Sequence, residues 1–162
     1  MAVDMFLKIQ GVDGESKDKT HTKEIDILAW SWGLSNSGSA HVGGGAGSGK
    51  VNVQDVSVTK WVDSASPKLM LACCNGSHYA NMLLTIRKAA GKAPLEYIKI
   101  TLDEVLIAGI STGGSGGEDR LTENVTLNFA KFSVDYTPQN DDGSAGTAIN
   151  ASWDIAANAA ES

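Results

Sequence analysis

The chain has 162 residues, with 19 acidic against 13 basic side chains, a net charge of −6 at pH 7, a pI near 4.9 and 42% hydrophobic residues. That length and apolar content suffice for one domain, residues 1–162, with a real core, and they exclude wholesale disorder. The acidic balance, with Lys and Arg scattered, argues against nucleic acid as a partner and against membrane insertion, and no apolar run approaches the ~18 residues needed to span a bilayer.

The chain opens on strand alternation, with Val3, Met5, Leu7 and Ile9 on one face and Asp4, Lys8 and Gln10 on the other; Phe6 breaks the polar face. The opening residues lack the basic-then-apolar pattern of a secretory signal, so export is expected to use another route. Residues 11–23 read as a polar loop. A long strand is expected from about Glu24 to Asn36, heavy on one side with Leu28, Trp30, Trp32 and Leu34. Its other side starts with Ile25 and Ile27 and thins to Ala29, Ser31, Gly33 and Ser35. Clustered glycines from Gly38 to Gly49 mark a loop. Val51–Val62 reads as strand again, and the shift in apolar parity near Asp55 predicts a bulge.

One helix is expected, capped by Ser66, with Pro67 in its first turn and Gly76 at the left-handed C-terminal position. It is too short to stand alone and should plug an end or edge of the strand structure. Cys73 and Cys74 are adjacent, a poor geometry for a mutual disulfide, and read as small apolar residues. Strands follow at about Ala80–Ala89, Leu95–Ile110 and Leu121–Tyr136, the last two separated by the glycine-rich stretch Ser111–Arg120, and a final strand is expected through Ile149, Ala151, Trp153 and Ile155. This pattern predicts a mainly β fold, an antiparallel barrel or sandwich with one short α-helix and long loops. Phe6, and Phe132, Val134 and Tyr136 opposite the Val125, Leu127 and Phe129 parity, place apolar residues on second faces. Either a neighbouring subunit or another part of the same chain must cover them.

Signals for chemistry are weak. Gly44 to Lys50 matches the start of a phosphate-binding loop, but Val51 stands where the magnesium-binding hydroxyl belongs, and the residues after it alternate like a strand. His21, His41 and His78 sit in separate loops without ligand spacing and read as solvated. Asp103 and Glu104 are strand neighbours on opposite faces, and Glu118-Asp119-Arg120 reads as a source of loop salt bridges or hydrogen bonds. The four tryptophans lie on expected strands and read as core or interface. No catalytic, metal or cofactor site is predicted.

The stretch Ser111-Thr112-Gly113-Gly114-Ser115-Gly116-Gly117-Glu118-Asp119-Arg120-Leu121-Thr122-Glu123-Asn124-Val125 resembles the signature of the Hcp family, the tube proteins of type VI secretion systems. Matches in the same order run along the chain: Gly14-Glu15-Ser16-Lys17-Asp18-Lys19, Ala29-Trp30-Ser31-Trp32-Gly33, Gly49-Lys50-Val51-Asn52-Val53-Gln54-Asp55 and Leu84-Thr85-Ile86-Arg87-Lys88-Ala89. The resemblance implies a β-barrel that assembles into hexameric rings with an open centre. Rings stack into a tube inside a contractile sheath on a baseplate, topped by a spike, and the lumen carries small effector proteins. It also implies a protein that is cytoplasmic before firing and secreted by contraction. On that basis Ser31 and Gly33 are candidates for the lumen wall, and Gly43, Gly44, Gly45, Gly47 and Lys50 for ring stacking. Gly113, Gly114, Gly116, Gly117, Glu118, Asp119 and Arg120 are candidates for contacts between subunits. The competing expectations are a monomeric β-barrel binding module and a phosphate-binding enzyme built on Gly44–Lys50.

Overall fold

A computed structural model describes residues 3–38, 50–88 and 93–160. The chain forms β1 (Val3–Ile9), β2 (Ile25–Ser31), β3 (Leu34–Ser35), β4 (Asn52–Val53), β5 (Val56–Trp61), α1 (Ser66–Asn75), β6 (His78–Lys88), β7 (Leu95–Thr112), β8 (Thr122–Asn128), β9 (Lys131–Tyr136), β10 (Ile149–Asp154) and β11 (Ala159–Ala160). Six antiparallel strands close into a barrel in the order β1-β2-β5-β8-β7-β6, with β6 returning to β1. The sheet continues beyond β7 through β9, β10 and β11, while β3 and β4 form a separate two-stranded ribbon.

Alternation explains the barrel. In β5 and β8, Val56, Val58, Val125 and Leu127 point inward and are buried, while Ser57, Thr59, Asn124 and Thr126 between them face outward. Leu7, Ile9, Ile25, Met82, Leu84, Ile100 and Ile107 complete the interior from the other strands. Burying each such aliphatic side chain is worth about 1.5–3 kcal/mol.

Three of the expected long strands break, while Leu95–Ile110 stays whole within β7. The register of β2 against β5 slips between Ile27 and Ala29, so Leu28 is the extra residue of a bulge. The slip keeps Ile25 and Ile27 in the core, then turns Trp30 inward and Ala29 and Ser31 outward. Further on, the Gln54 N–H donates to the Gly33 carbonyl at 3.0 Å, and the Trp32 indole N–H donates to the Gln54 carbonyl at 2.8 Å. That junction separates the ribbon from the barrel and accounts for the parity shift near Asp55. The expected strand Leu121–Tyr136 likewise splits at Phe129-Ala130, where the chain leaves the barrel and β9 begins.

Of the two covers expected for the second faces, Phe6 and Phe132 take the one within the same chain. Phe132 is buried against Trp32, edge to face at 4.8 Å, and against Phe129 at 6.5 Å. Phe6 is buried by residues 11–24, which fold back so that His21 stacks on its ring at 4.4 Å. Both aromatics are therefore covered by their own chain. Tyr136 and Ile149, paired across β9 and β10, remain exposed.

The fold-back is tied tightly. Gly14 donates to the Lys23 carbonyl at 2.8 Å and Ser16 to that of Glu24 at 3.0 Å. A Cβ on Gly14 would sit 2.6 Å from the Glu24 carbonyl oxygen, so only glycine allows this approach.

The helix α1 buries Leu69 and Ala72 in the core and ends at Gly76, which has φ +70° as expected for a left-handed cap. Its start differs from expectation: Ser66 is already helical, Ala65 occupies the cap position without a side-chain bond, and Asp63 accepts from the Ala65 N–H at 3.0 Å. The Ser66 hydroxyl is instead committed to a buried ion pair inside the barrel.

Candidate functional site

The outward face of β2, β5, β8 and β7 carries two cross-strand rows. Strand register aligns Ser31 with Ser57, Ser57 with Thr126 and Thr126 with Gly109. The second row runs from Ala29 through Thr59 and Asn124 to Ser111. The Thr59 hydroxyl donates to the Asn124 side-chain oxygen at 2.6 Å, holding the row flat. None of these side chains is charged, in a chain whose residues are 20% charged. At one end the surface changes character: the Arg120 guanidinium lies 4.3 Å from the centre of the Trp61 ring. Close by on β2, burial pushes the Asp26 carboxyl up from its ordinary range, against opposing influences from Ser16 and Arg120.

The expected site residues distribute unevenly over this frame. Ser31 is exposed at the edge of the first row, whereas Gly33 is half-buried, a Cβ there meeting the Gln54 side-chain oxygen at 2.9 Å. Gly43, Gly44, Gly45 and Gly47 lie outside the described residues, as does His41. Lys50 is exposed and leads into β4, so a strand follows the glycine-rich stretch, where a phosphate loop would place a helix. Gly113, Gly114, Gly116, Gly117, Glu118 and Asp119 are exposed on the loop joining β7 to β8. The salt bridges expected of Glu118 and Asp119 do not form: among the described residues neither carboxylate has an ionic partner, and the Glu118 N–H donates to the Ser115 carbonyl at 3.2 Å. Among the described residues, only the Arg120 side chain of the three has a partner, the Trp61 ring.

Sequence reasoning missed His21. It is buried, not solvated, with Nδ1 at 2.9 Å from a Glu24 oxygen and Nε2 at 2.6 Å from a Glu96 oxygen. Burial works against the charge on Glu96, but His21 and Lys99 outweigh it and hold that carboxyl below its usual range. The only hint was a histidine three residues before Glu24; Glu96 is 75 residues away.

Among the described residues no group of three His, Cys, Asp or Glu side chains is placed to hold a metal, and no helix is long and apolar enough to cross a membrane. A groove of about 490 Å³ beside β10 is lined by Leu34, Val51, Phe132 and Trp153 with the amides of Asn36 and Asn158. Its described lining holds no ionisable group to serve as acid or base.

The family model described as "Type VI secretion system effector, Hcp" matches residues 6–136. The chain belongs to the Hcp family. It is 63% identical over 159 residues to Protein hcp1 of Pseudomonas aeruginosa, covering 98% of each sequence. Among solved structures it is similar to Hcp1 from Salmonella typhimurium, with 38% identity, a TM-score of 0.83 and coverage of 99% of this chain and 100% of that one. A structure described as a type six secretion system protein superposes with a TM-score of 0.92 at 31% identity, covering 99% of this chain and 100% of that one. The chain is accordingly a secreted, structural tube protein of type VI secretion, with the β-barrel fold that the Hcp resemblance implied.

Proposed function

We propose that this Hcp protein closes head to tail into six-membered rings, that the rings stack into the secretion tube, and that the tube carries small effector proteins past an uncharged wall centred on Ser31. The observation that carries this reading is the pair of cross-strand rows, Ser31-Ser57-Thr126-Gly109 and Ala29-Thr59-Asn124-Ser111. A flat face of short hydroxyl and amide groups offers hydrogen bonds to any protein surface but no deep pocket and no fixed charge. It would hold cargo weakly enough to release it. In this reading the copies arrange that face toward the ring's centre, and the whole chain acts as one non-enzymatic domain needing no cofactor. The spike, sheath and baseplate are its partners in the secretion system. The protein is made in the cytoplasm and leaves when the sheath contracts.

The test is Ser31→Gln. The longer side chain projects from the first row without touching the core, so native mass should remain that of a ring. Retention of a co-expressed small effector on purified rings should fall. Unchanged retention on intact rings would remove Ser31 from the wall, and a monomeric mass for the unaltered protein would favour a solitary binding module.

A further inference from the structure

We propose that Glu118 and Asp119 of one copy dock into a lysine-lined groove on the next copy, and that this contact sets the register of the head-to-tail ring; the inference rests on the ring reading above.

The groove, of about 380 Å³, lies where residues 11–24 fold back beside β1. Lys8, Lys19 and Lys23 line it, with Thr20 and Thr22 between them. All three lysines are exposed. Lys8 stands on the outward parity of β1. The backbone of Lys23 is pinned at φ +64°, its N–H donating to Ser16 at 2.8 Å, which leaves the side chain free. Asp13 and Glu24 share the lining, but Glu24 is turned to His21 at 2.9 Å. Among the described residues none of the three ammonium groups has a carboxylate within ion-pair distance. In a chain of net charge −6, three lysines against two carboxylates leave this lining formally positive.

The complementary group is on the same chain but unpaired with the groove. The segment before β2 and the loop before β8 leave the same end of the barrel, yet among the described residues neither Glu118 nor Asp119 lies within ion-pair distance of these lysines. The protomer does not pair its own Glu118 and Asp119 with its own groove. A neighbour related by rotation can, and an open string of copies would leave one acidic tip and one basic groove unsatisfied. Closure removes both, which is the geometry of a cyclic, heterologous interface. Exposed ion pairs contribute mainly to encounter rate and register, so the apolar parts of the interface would supply most of the affinity.

The experiment is sedimentation of the full chain, comparing Glu118→Lys/Asp119→Lys, Lys19→Glu/Lys23→Glu and the four changes combined. All four residues are exposed and, among the described residues, without an ionic partner, so circular dichroism should show each variant folded. Each reversal alone should raise the concentration at which half the rings form by about tenfold or more, since attraction becomes repulsion. The combined variant should return most of the way. Raising salt to about 1 M, where screening acts over ~3 Å, should weaken unaltered rings in the same direction. Rings indifferent to either reversal overturn the pairing, as does failure of the combined variant to recover. If the unaltered protein forms no six-fold species at all, the ring reading itself falls, a result distinguishable from either of these.

Discussion

Lys60 and Glu123 form an ion pair inside the barrel with neither side chain reached by solvent. They are register partners on β5 and β8, and each occupies an inward parity that Val58 and Val125 would predict to be apolar. Lys60 also donates to Asp63 at 2.8 Å, to the Trp61 carbonyl at 2.8 Å and to the Ser66 hydroxyl at 3.2 Å, while Ser66 donates to Glu123. The start of α1 is thereby fastened to two barrel strands. Removing one partner leaves the other charged and buried, which typically costs about 3–5 kcal/mol, whereas replacing both can be nearly neutral. Lys60→Met should lower unfolding stability by that amount, and Lys60→Met/Asp63→Asn/Glu123→Leu, which leaves no buried charge without its partner, should regain most of it. Urea denaturation of the two variants measures the difference; a single variant that loses less than about 1 kcal/mol would mean the cluster does not hold the helix.

Acid should loosen the fold-back of residues 11–24 before the rest. The Arg87 guanidinium hydrogen-bonds both oxygens of Asp18 and holds its carboxyl well below the usual carboxylate range, with burial opposing only in part. The folded value lies below the unfolded one. The contribution of Asp18 is therefore complete above the unfolded value near 4 and disappears as the pH falls below it. Asp18→Asn should be less stable than the unaltered protein at pH 7, by about 1 kcal/mol because Asp18 is partly exposed, and the gap should narrow steadily below about pH 4. Urea midpoints taken across that range decide it, and a gap that stays constant would separate Asp18 from the acid response.

How much of this was legible beforehand depended on whether the information was local. Alternation in Val56-Ser57-Val58-Thr59 announces a half-buried strand, and Gly76 announces the helix end, because each depends on a few neighbouring residues. The polar rows could not be read in advance. Ser57 and Thr59 show two hydroxyls on one face, but only register places Ser31, Thr126 and Gly109 beside them. Nothing local marks Lys60 as buried, because its partner lies 63 residues further on. The Leu28 bulge was missed for a related reason: it turns what reads as one strand with a heavy face and a thin face into a strand whose inward side changes midway.

His21 should prove structural as well as polar. It stacks on Phe6 at 4.4 Å while its two ring nitrogens face Glu24 and Glu96, so one side chain covers an aromatic ring and joins the fold-back to the start of β7. His21→Ala forfeits the stacking, at ~0.5–1.5 kcal/mol, together with hydrogen bonds to charged groups, and should cost about 2 kcal/mol in total. Trypsin reports the location of the damage, since Lys17, Lys19 and Lys23 all lie in the fold-back. Cleavage there should accelerate while β6 and β7 stay intact. Resistance equal to that of the unaltered protein would show that the Gly14 and Ser16 backbone bonds hold the segment without the histidine.

A last prediction concerns Glu104, which adopts φ +53° in the middle of β7. Up to Asp103 this strand pairs with β9, and from Leu106 onward it pairs with β8. The left-handed residue sits between, beside the 3.0 Å bond from the Ala130 N–H to the Asp103 carbonyl, at the point where the sheet divides into barrel and extension. A left-handed conformation costs a side-chain-bearing residue roughly 1–2 kcal/mol, and a β-branched residue more. Glycine avoids that cost but gives back about 0.5–1 kcal/mol in chain entropy. Glu104→Gly should therefore match or slightly exceed the unaltered stability, and Glu104→Val should fall more than about 1 kcal/mol below it. Urea midpoints of the pair read the difference directly. If valine is tolerated as well as glycine, the division of the sheet is imposed by the partner strands alone, and the backbone at Glu104 follows them without strain.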